Sequence, residues 1–89
     1  DFIFMNKNTK LYRLIVCLYL NRGNYLSQKE ISNKTGIETK QISQYIKRVY
    51  PYTSTKKINK KNHYILLPIS IEYIRRVLER EEIKSETNN

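Results

Sequence analysis

The sequence predicts a small, mainly α-helical domain with one β-hairpin, in the order helix, short strand, helix, turn, helix, two-stranded hairpin, helix. Three observations lead there. Apolar residues recur at three- and four-residue spacing in three separate stretches. Gly23, Gly36, Pro51 and Pro68 punctuate the boundaries between elements. Between the two prolines the texture changes to β-branched residues and strand formers around a polar tetrad. Eighty-nine residues allow one domain with a limited core. Residues 9–84 are assigned to it, residues 1–8 to an N-terminal extension, and residues 85–89, which hold no apolar side chain, to a disordered tail.

The first helix, TKLYRLIVCLYLNRG, is capped by Thr9 and is expected to end at Gly23. Leu11, Leu14, Ile15 and Leu18 form its core stripe, but Tyr12, Val16, Tyr19 and Leu20 make the remaining surface apolar too. A helix apolar nearly all round must be covered on two sides. The second cover is either the C-terminal helix alone or another copy of the chain; the second reading makes Tyr12, Val16, Tyr19 and Leu20 the candidate homodimer interface, with the C-terminal helix and Phe2 to Met5 as further contributors. The following GNYL has room only for a turn and a strand of two or three residues.

Ser27 followed three residues later by Glu30 is a capping box, and Leu26 and Ile31 sit where a hydrophobic staple would span it. A helix therefore starts at Ser27. Gly36 ends it by supplying the left-handed conformation that a helix C-terminus often needs, and Ile37 can then drop into the core. The next helix, from about Thr39 to Tyr50, buries Ile42, Ile46 and Val49 on one stripe. Pro51 stops it. Thr39, Lys40, Gln41, Ser43, Gln44 and Lys47 are left facing outward, and all are of the kinds that reach base edges or phosphates.

In TSTKKINKKNHYILL the tetrad Asn59-Lys60-Lys61-Asn62 reads as a hairpin tip, with Lys56 and Lys57 in the first strand and Ile58, Ile65 and Leu67 anchoring the hairpin to the core. Pro68 ends the second strand. Ser70 is then expected to cap a last helix with Ile71, Ile74, Val77 and Leu78 as its stripe.

The formal net charge is +9, and it is unevenly placed: residues 36–63 hold seven lysines and arginines against one acid, whereas residues 64–89 hold four against five. Positive charge gathers around the third helix and the hairpin, which points to a polyanionic partner. Catalytic chemistry has little to work with. One cysteine, Cys17, lies in an apolar helix, where it reads as a buried structural thiol; one histidine, His63, has no second histidine to pair with; and two glycines make no phosphate-cradling loop. The expectation is a non-enzyme with no cofactor and no metal. No apolar run reaches the length of a membrane span and the first residues lack the order of a signal peptide, so a soluble cytoplasmic protein, associated with the nucleoid, is expected.

With SQKEISNKTGIETKQISQYIKRV followed by the lysine-tipped KKINKKNHYILL, the chain resembles the winged helix-turn-helix family of DNA-binding proteins over residues 9–84. The near-apolar first helix and the C-terminal helix are similar to the PadR-like and MarR-like branches, which are dimers; small partition proteins of archaeal plasmids share a similar layout. The resemblance implies a recognition surface from Thr39 to Lys47 in the major groove and a wing from Lys56 to His63 on the neighbouring backbone or minor groove. One departure is Glu38, which stands where the family often has a small capping residue. By chemistry, Gln41 and Gln44 are candidates for bidentate contacts to adenine and Lys40 for guanine or phosphate. Ser43, Arg48 and the wing lysines Lys56, Lys57, Lys60 and Lys61 are candidates for positioning on phosphates; Asn59, Asn62 and His63 complete the DNA-facing wing, with His63 read as a strand residue rather than a ligand. Tyr45 is divided between a phosphate contact and the core edge, with the core favoured.

The expected function is that of a dimeric, sequence-specific transcriptional regulator on double-stranded DNA. DNA segregation by centromere binding and spreading, or a replication adaptor, is an alternative job for the same surface. An RNA or single-strand binder would use exposed aromatics among the basic residues, and Tyr50 and Tyr52 are the candidates for stacking. A protein-interaction winged helix would carry a neutral or acidic recognition helix, unlike this one.

Overall fold

The computed structural model describes residues 9–87, with side chains through Arg80. Four helices and a three-stranded sheet follow one another as α1 (Lys10–Leu20), β1 (Leu26–Ser27), α2 (Gln28–Thr35), α3 (Thr39–Arg48), a 3₁₀ turn (Tyr50–Tyr52), β2 (Thr53–Ile58), β3 (Lys61–Leu66) and α4 (Pro68–Thr87). The sheet is antiparallel with β3 in the centre, β1 on one side and β2 on the other.

Local signals written in the sequence place the first half. Thr9 caps α1 by accepting from the Tyr12 amide at 3.1 Å. The capping box at Ser27 is complete: its hydroxyl accepts from the Glu30 amide at 3.1 Å while its own amide donates to the Glu30 carboxylate at 3.0 Å. Those bonds hold the Glu30 carboxyl below the usual carboxylate range, the backbone bond from Ser27 contributing most. At the other end of α2, Gly36 adopts φ +80° and its amide donates to the Ser32 carbonyl at 2.8 Å. The Thr35 hydroxyl completes the turn. It donates to the Ile31 carbonyl at 2.7 Å and accepts from the Ile37 amide at 3.1 Å, and Ile37 behind it is fully buried.

The core is built from Leu14, Ile15 and Leu18 of α1, Ile31 of α2, Ile37 of the turn, Ile42 of α3, Val49, Leu66 of β3 and Ile74 of α4, all essentially without solvent contact. Cys17 is buried beside them as expected, and burial pushes its thiol up from the ordinary value.

Six boundaries or faces differ from the sequence reading. α1 stops at Leu20 rather than Gly23, because Asn21 caps it with both its amide and its side chain on the Cys17 carbonyl, at 3.1 and 2.8 Å. α3 stops at Arg48, and Tyr50 begins the 3₁₀ turn instead, with Pro51 inside that turn where its fixed φ is tolerated. The hairpin tip is two residues, not four. Asn59 and Lys60 both take positive φ, 52° and 66°, which is the two-residue loop whose twist matches the flanking strands, and Lys61 and Asn62 pair in β3 with Ile58 and Lys57.

The hairpin also buries the opposite face from the one expected. Tyr64, Leu66 and Thr53 point inward while Ile58, Ile65 and Leu67 are only half-buried. Pairing of Leu26 with Tyr64 and of Thr53 with Leu66 sets that register, and with a side-chain period of two the odd-numbered β3 residues must face away. Finally, α4 begins at Pro68, a residue suited to the first helical position because its missing N–H has no partner there; Ser70 lies buried within the first turn instead of capping it. The stripe of Ile71, Ile74, Val77 and Leu78 is as read, Ile74 and Val77 buried and the other two half-buried. The helix continues through Ser85 to Thr87, beyond the boundary drawn at residue 84; Asn88, Asn89 and residues 1–8 lie outside the described residues.

Two tests follow from the turns. No side-chain clash meets a Cβ at Gly36, where the nearest atom is Arg13 Nη1 at 3.9 Å, so Gly36→Ala should cost about 1–2 kcal/mol from the left-handed backbone alone, whereas Lys60→Gly should gain about 0.5–1 kcal/mol. Urea unfolding of the two variants measures both. The capping box gives a pH signature with a definite sign. A carboxyl whose folded pKa is depressed adds stability above its unfolded pKa and loses it as pH falls through the folded value, so acid unfolding of Glu30→Gln should be less steep than that of the parent below the ordinary glutamate pKa. Superimposable acid limbs would show that the box contributes through geometry rather than charge.

Candidate nucleic-acid interface

Helix α3 sorts its polar residues by height above the core. Lys40, Gln44 and Lys47, spaced four and three apart, form its exposed crest, with Thr39 and Arg48 exposed beside them. Ser43 and Gln41 are half-buried on the two flanks. Gln41 is engaged, its Oε1 accepting from Lys10 Nζ at 3.2 Å. Tyr45 is half-buried and packed on the core edge, the role favoured from the sequence. Glu38 makes no side-chain cap, yet the first turn of α3 closes through the Gln41 amide on the Glu38 carbonyl at 2.9 Å, and the carboxylate lies 3.4 Å from Lys40 Nζ in an exposed ion pair. The departure at Glu38 therefore leaves the helix start intact.

The hairpin divides its cations between two faces. Lys57 and Asn62 pair on the face that carries Tyr64 and Leu66 further down, whereas Lys56 pairs with His63 and Lys61 with Ile58 on the other. Lys56 lies over the Tyr25 ring at 5.4 Å. His63 is half-buried, its Nδ1 2.9 Å from the Lys61 carbonyl, a contact in which the protonated nitrogen donates. It is a strand residue braced by its neighbour. Asn59 and Lys60 project at the tip.

Between these parts lies a cleft of about 480 Å³ lined by Ser27, Gln28, Lys29, Thr39, Lys60, Lys61 and Asn62. It brings the first turn of α2, the first residue of α3 and the hairpin tip to one place. Three lysines, two hydroxyls and two amides line it, a donor set that suits a phosphodiester oxygen. Gln28 and Lys29 were not among the sequence candidates. Their signal was present: the capping box at Ser27 puts both in the first turn of α2, and only the return of the hairpin over that turn makes them part of the site. Gln28 Nε2 also donates to the Tyr64 hydroxyl at 2.9 Å, tying the cleft floor to β3.

On α1, Tyr12, Val16, Tyr19 and Leu20 fall on one side of the helix, with Tyr12 and Tyr19 packed against the core edge. Tyr12, Val16 and Tyr19 are half-buried, Tyr19 lies 4.5 Å beneath the Arg22 guanidinium, and Leu20 alone of the four is exposed, at 70%. A groove of about 360 Å³ runs along this side, lined by Tyr12, Arg13, Val16, Cys17, Leu20, Asn21, Lys34 and Thr35. Of the tyrosines proposed for base stacking, Tyr52 is committed to a stack on Tyr73 with centroids 5.2 Å apart, while Tyr50 is 72% exposed.

Among the described residues no group of histidine, cysteine, aspartate and glutamate is placed to hold a metal, and no helix is long and apolar enough to cross a membrane. No family model and no curated protein sequence matches the chain. Solved structures do. The homodimeric winged helix-turn-helix DNA-binding domain of Mb0332 from Mycobacterium bovis, a possible ArsR-family transcriptional regulator, superposes with a TM-score of 0.66 at 11% identity over 90% of this chain and 71% of that one.

The fold is a winged helix-turn-helix. BpsR of Bordetella bronchiseptica, whose DNA binding is regulated by 6-hydroxynicotinic acid, superposes with a TM-score of 0.61 at 16% identity over 88% of this chain and 61% of that one. In the terms of the fold, α2 with α3 is the helix-turn-helix, α3 stands at the position of its second helix, and the β2–β3 hairpin stands at the position of the wing.

Proposed function

We propose that the chain is a dimeric, sequence-specific regulator of transcription that acts by binding double-stranded DNA in the cytoplasm, on the nucleoid, and not by catalysis. The observation that carries this reading is the convergence of Lys29, Lys60 and Lys61 on one cleft beside the exposed crest of Lys40, Gln44 and Lys47. A recognition helix in the major groove would bring the phosphate backbone past that cleft, so positioning and readout are separate groups on one surface. The segregation alternative draws no support from either structural neighbour. A stacking mode for single strands is weakened by the commitment of Tyr52 to Tyr73.

Dimerisation through α1 is the second part of the proposal. Leu20, Val16 and Tyr12 follow one another at four-residue spacing along a groove, Leu20 exposed and the other two half-buried, and Mb0332 is a homodimer of the same fold. A two-fold axis there would present two recognition helices to successive major-groove faces about 34 Å apart, which gives a small reader enough contacts to be selective.

Two measurements separate these parts. Duplex affinity should fall linearly with salt on a log–log plot at about −0.9 per phosphate neutralised, and Lys60→Ala with Lys61→Ala should make that slope shallower while weakening all sequences alike; Gln44→Ala should relax preference at a single base position, by about 1–3 kcal/mol. A flat salt response would remove the DNA reading. Sedimentation at micromolar concentration should show a dimer for the parent chain and a monomer for Val16→Glu with Leu20→Glu. A dimer that survives that double substitution places the interface elsewhere.

A further inference from the structure

Gln41 lies in the first turn of the recognition helix, the part that meets base edges in this motif, but its side chain is already oriented by another element. Lys10, the first residue of α1, donates from Nζ to its Oε1 at 3.2 Å. An ammonium has only donors, so the contact settles which end of the amide is which: Oε1 faces Lys10 and the NH₂ group faces away. That orientation has a chemical consequence. A glutamine reading adenine uses both ends at once, accepting from the adenine amino group and donating to N7. Here the accepting end is held by a cation, whose charge also opposes the approach of adenine's amino hydrogens. The pair Gln41 and Lys10 instead offers a set of donors: the amide NH₂ and the ammonium protons not used on Oε1. Guanine is the base whose major-groove edge presents two adjacent acceptors, N7 and O6.

We propose that Lys10 sets the base preference of Gln41, making the pair a guanine reader where Gln41 alone would read adenine. Lys10 is then a specificity-determining residue outside the helix-turn-helix, and α1 joins the recognition surface through its N-terminal end while its opposite, C-terminal end carries the open Leu20. Gln44, exposed on the crest between Lys40 and Lys47, keeps the adenine role. The inference rests on the duplex-DNA reading above and refines it at one base pair.

Selection of bound sequences from a randomised duplex pool by the full chain tests it. The parent should enrich guanine at the position that becomes unspecified in Gln41→Ala. Lys10→Met should exchange that guanine for adenine, moving the ratio of the two bases by on the order of tenfold, with the rest of the enriched site unchanged; Lys10→Arg, which keeps a cationic donor, should retain guanine. Loss of a phosphate contact alone would weaken every sequence evenly and leave the enriched site as it was, so an unchanged base at that position in Lys10→Met overturns the proposal while leaving DNA binding in place. Enrichment of adenine there by the parent also overturns it. A pool from which the parent enriches nothing overturns the sequence-specific reading, and this inference with it.

Discussion

The turn at Thr35, Gly36 and Ile37 is the constraint on which the rest of the structure depends. It sets the angle between α2 and α3, and hydrogen bonds tie it to both the helix before it and α1. The Gly36 amide reaches Ser32, the Thr35 hydroxyl bridges Ile31 and Ile37, and Arg13 of α1 donates from Nη1 to the Thr35 carbonyl at 3.3 Å. Because Ile37 is driven into the core between the two helices, α3 leaves the turn in one direction only. A residue with a Cβ at Gly36 would have room but the wrong backbone preference. The crest of α3, the cleft at its start and the contact with Lys10 all inherit their positions from this junction.

Around it, the fold keeps a strongly basic surface without unpaired charge inside. Among the described residues the core is aliphatic apart from Cys17 and Tyr64, the other buried polar side chains are those of Thr35, Thr53 and Ser70, and no buried side-chain nitrogen or oxygen is left without a hydrogen bond. Acidic residues are spent on α4, where Arg75 is held by Glu72 and by Glu79 at 2.6 Å, and Arg76 approaches Glu72 at 3.4 Å. These exposed pairs add little stability individually. Their consequence is spatial: Arg75 and Arg76 are neutralised locally, whereas Lys29, Lys47, Arg48 and the hairpin lysines make no ion pair among the described residues.

How much of this was legible depended on the range of the interaction. The capping box, Gly36 and the stripe of Ile42, Ile46 and Val49 were all read correctly, because each is a local pattern whose energetics are complete within a few residues. The hairpin was located but turned inside out. Both Ile65 and Tyr64 can fill a core, and nothing within β3 chooses between them; the choice is made by pairing with Leu26 on one side and Thr53 on the other. Its tip was drawn too long for a related reason, since lysine seldom takes positive φ and Lys60 does so only because the strands on either side hold it there.

The sequence by itself determined the helices, their caps, the left-handed turn and the concentration of positive charge, because these follow from contacts along the chain and from composition. Only the tertiary structure decided the site. Lys29 became part of it when the wing folded back over the start of α2, and Lys10 met Gln41 across a separation of 31 residues, where no periodicity or motif links them. The face of α1 left open was likewise settled by how far α2, β3 and α4 reach around it. Contacts between elements are fixed by the packing of the core, and a chain read in one dimension carries the materials for that packing but not its geometry.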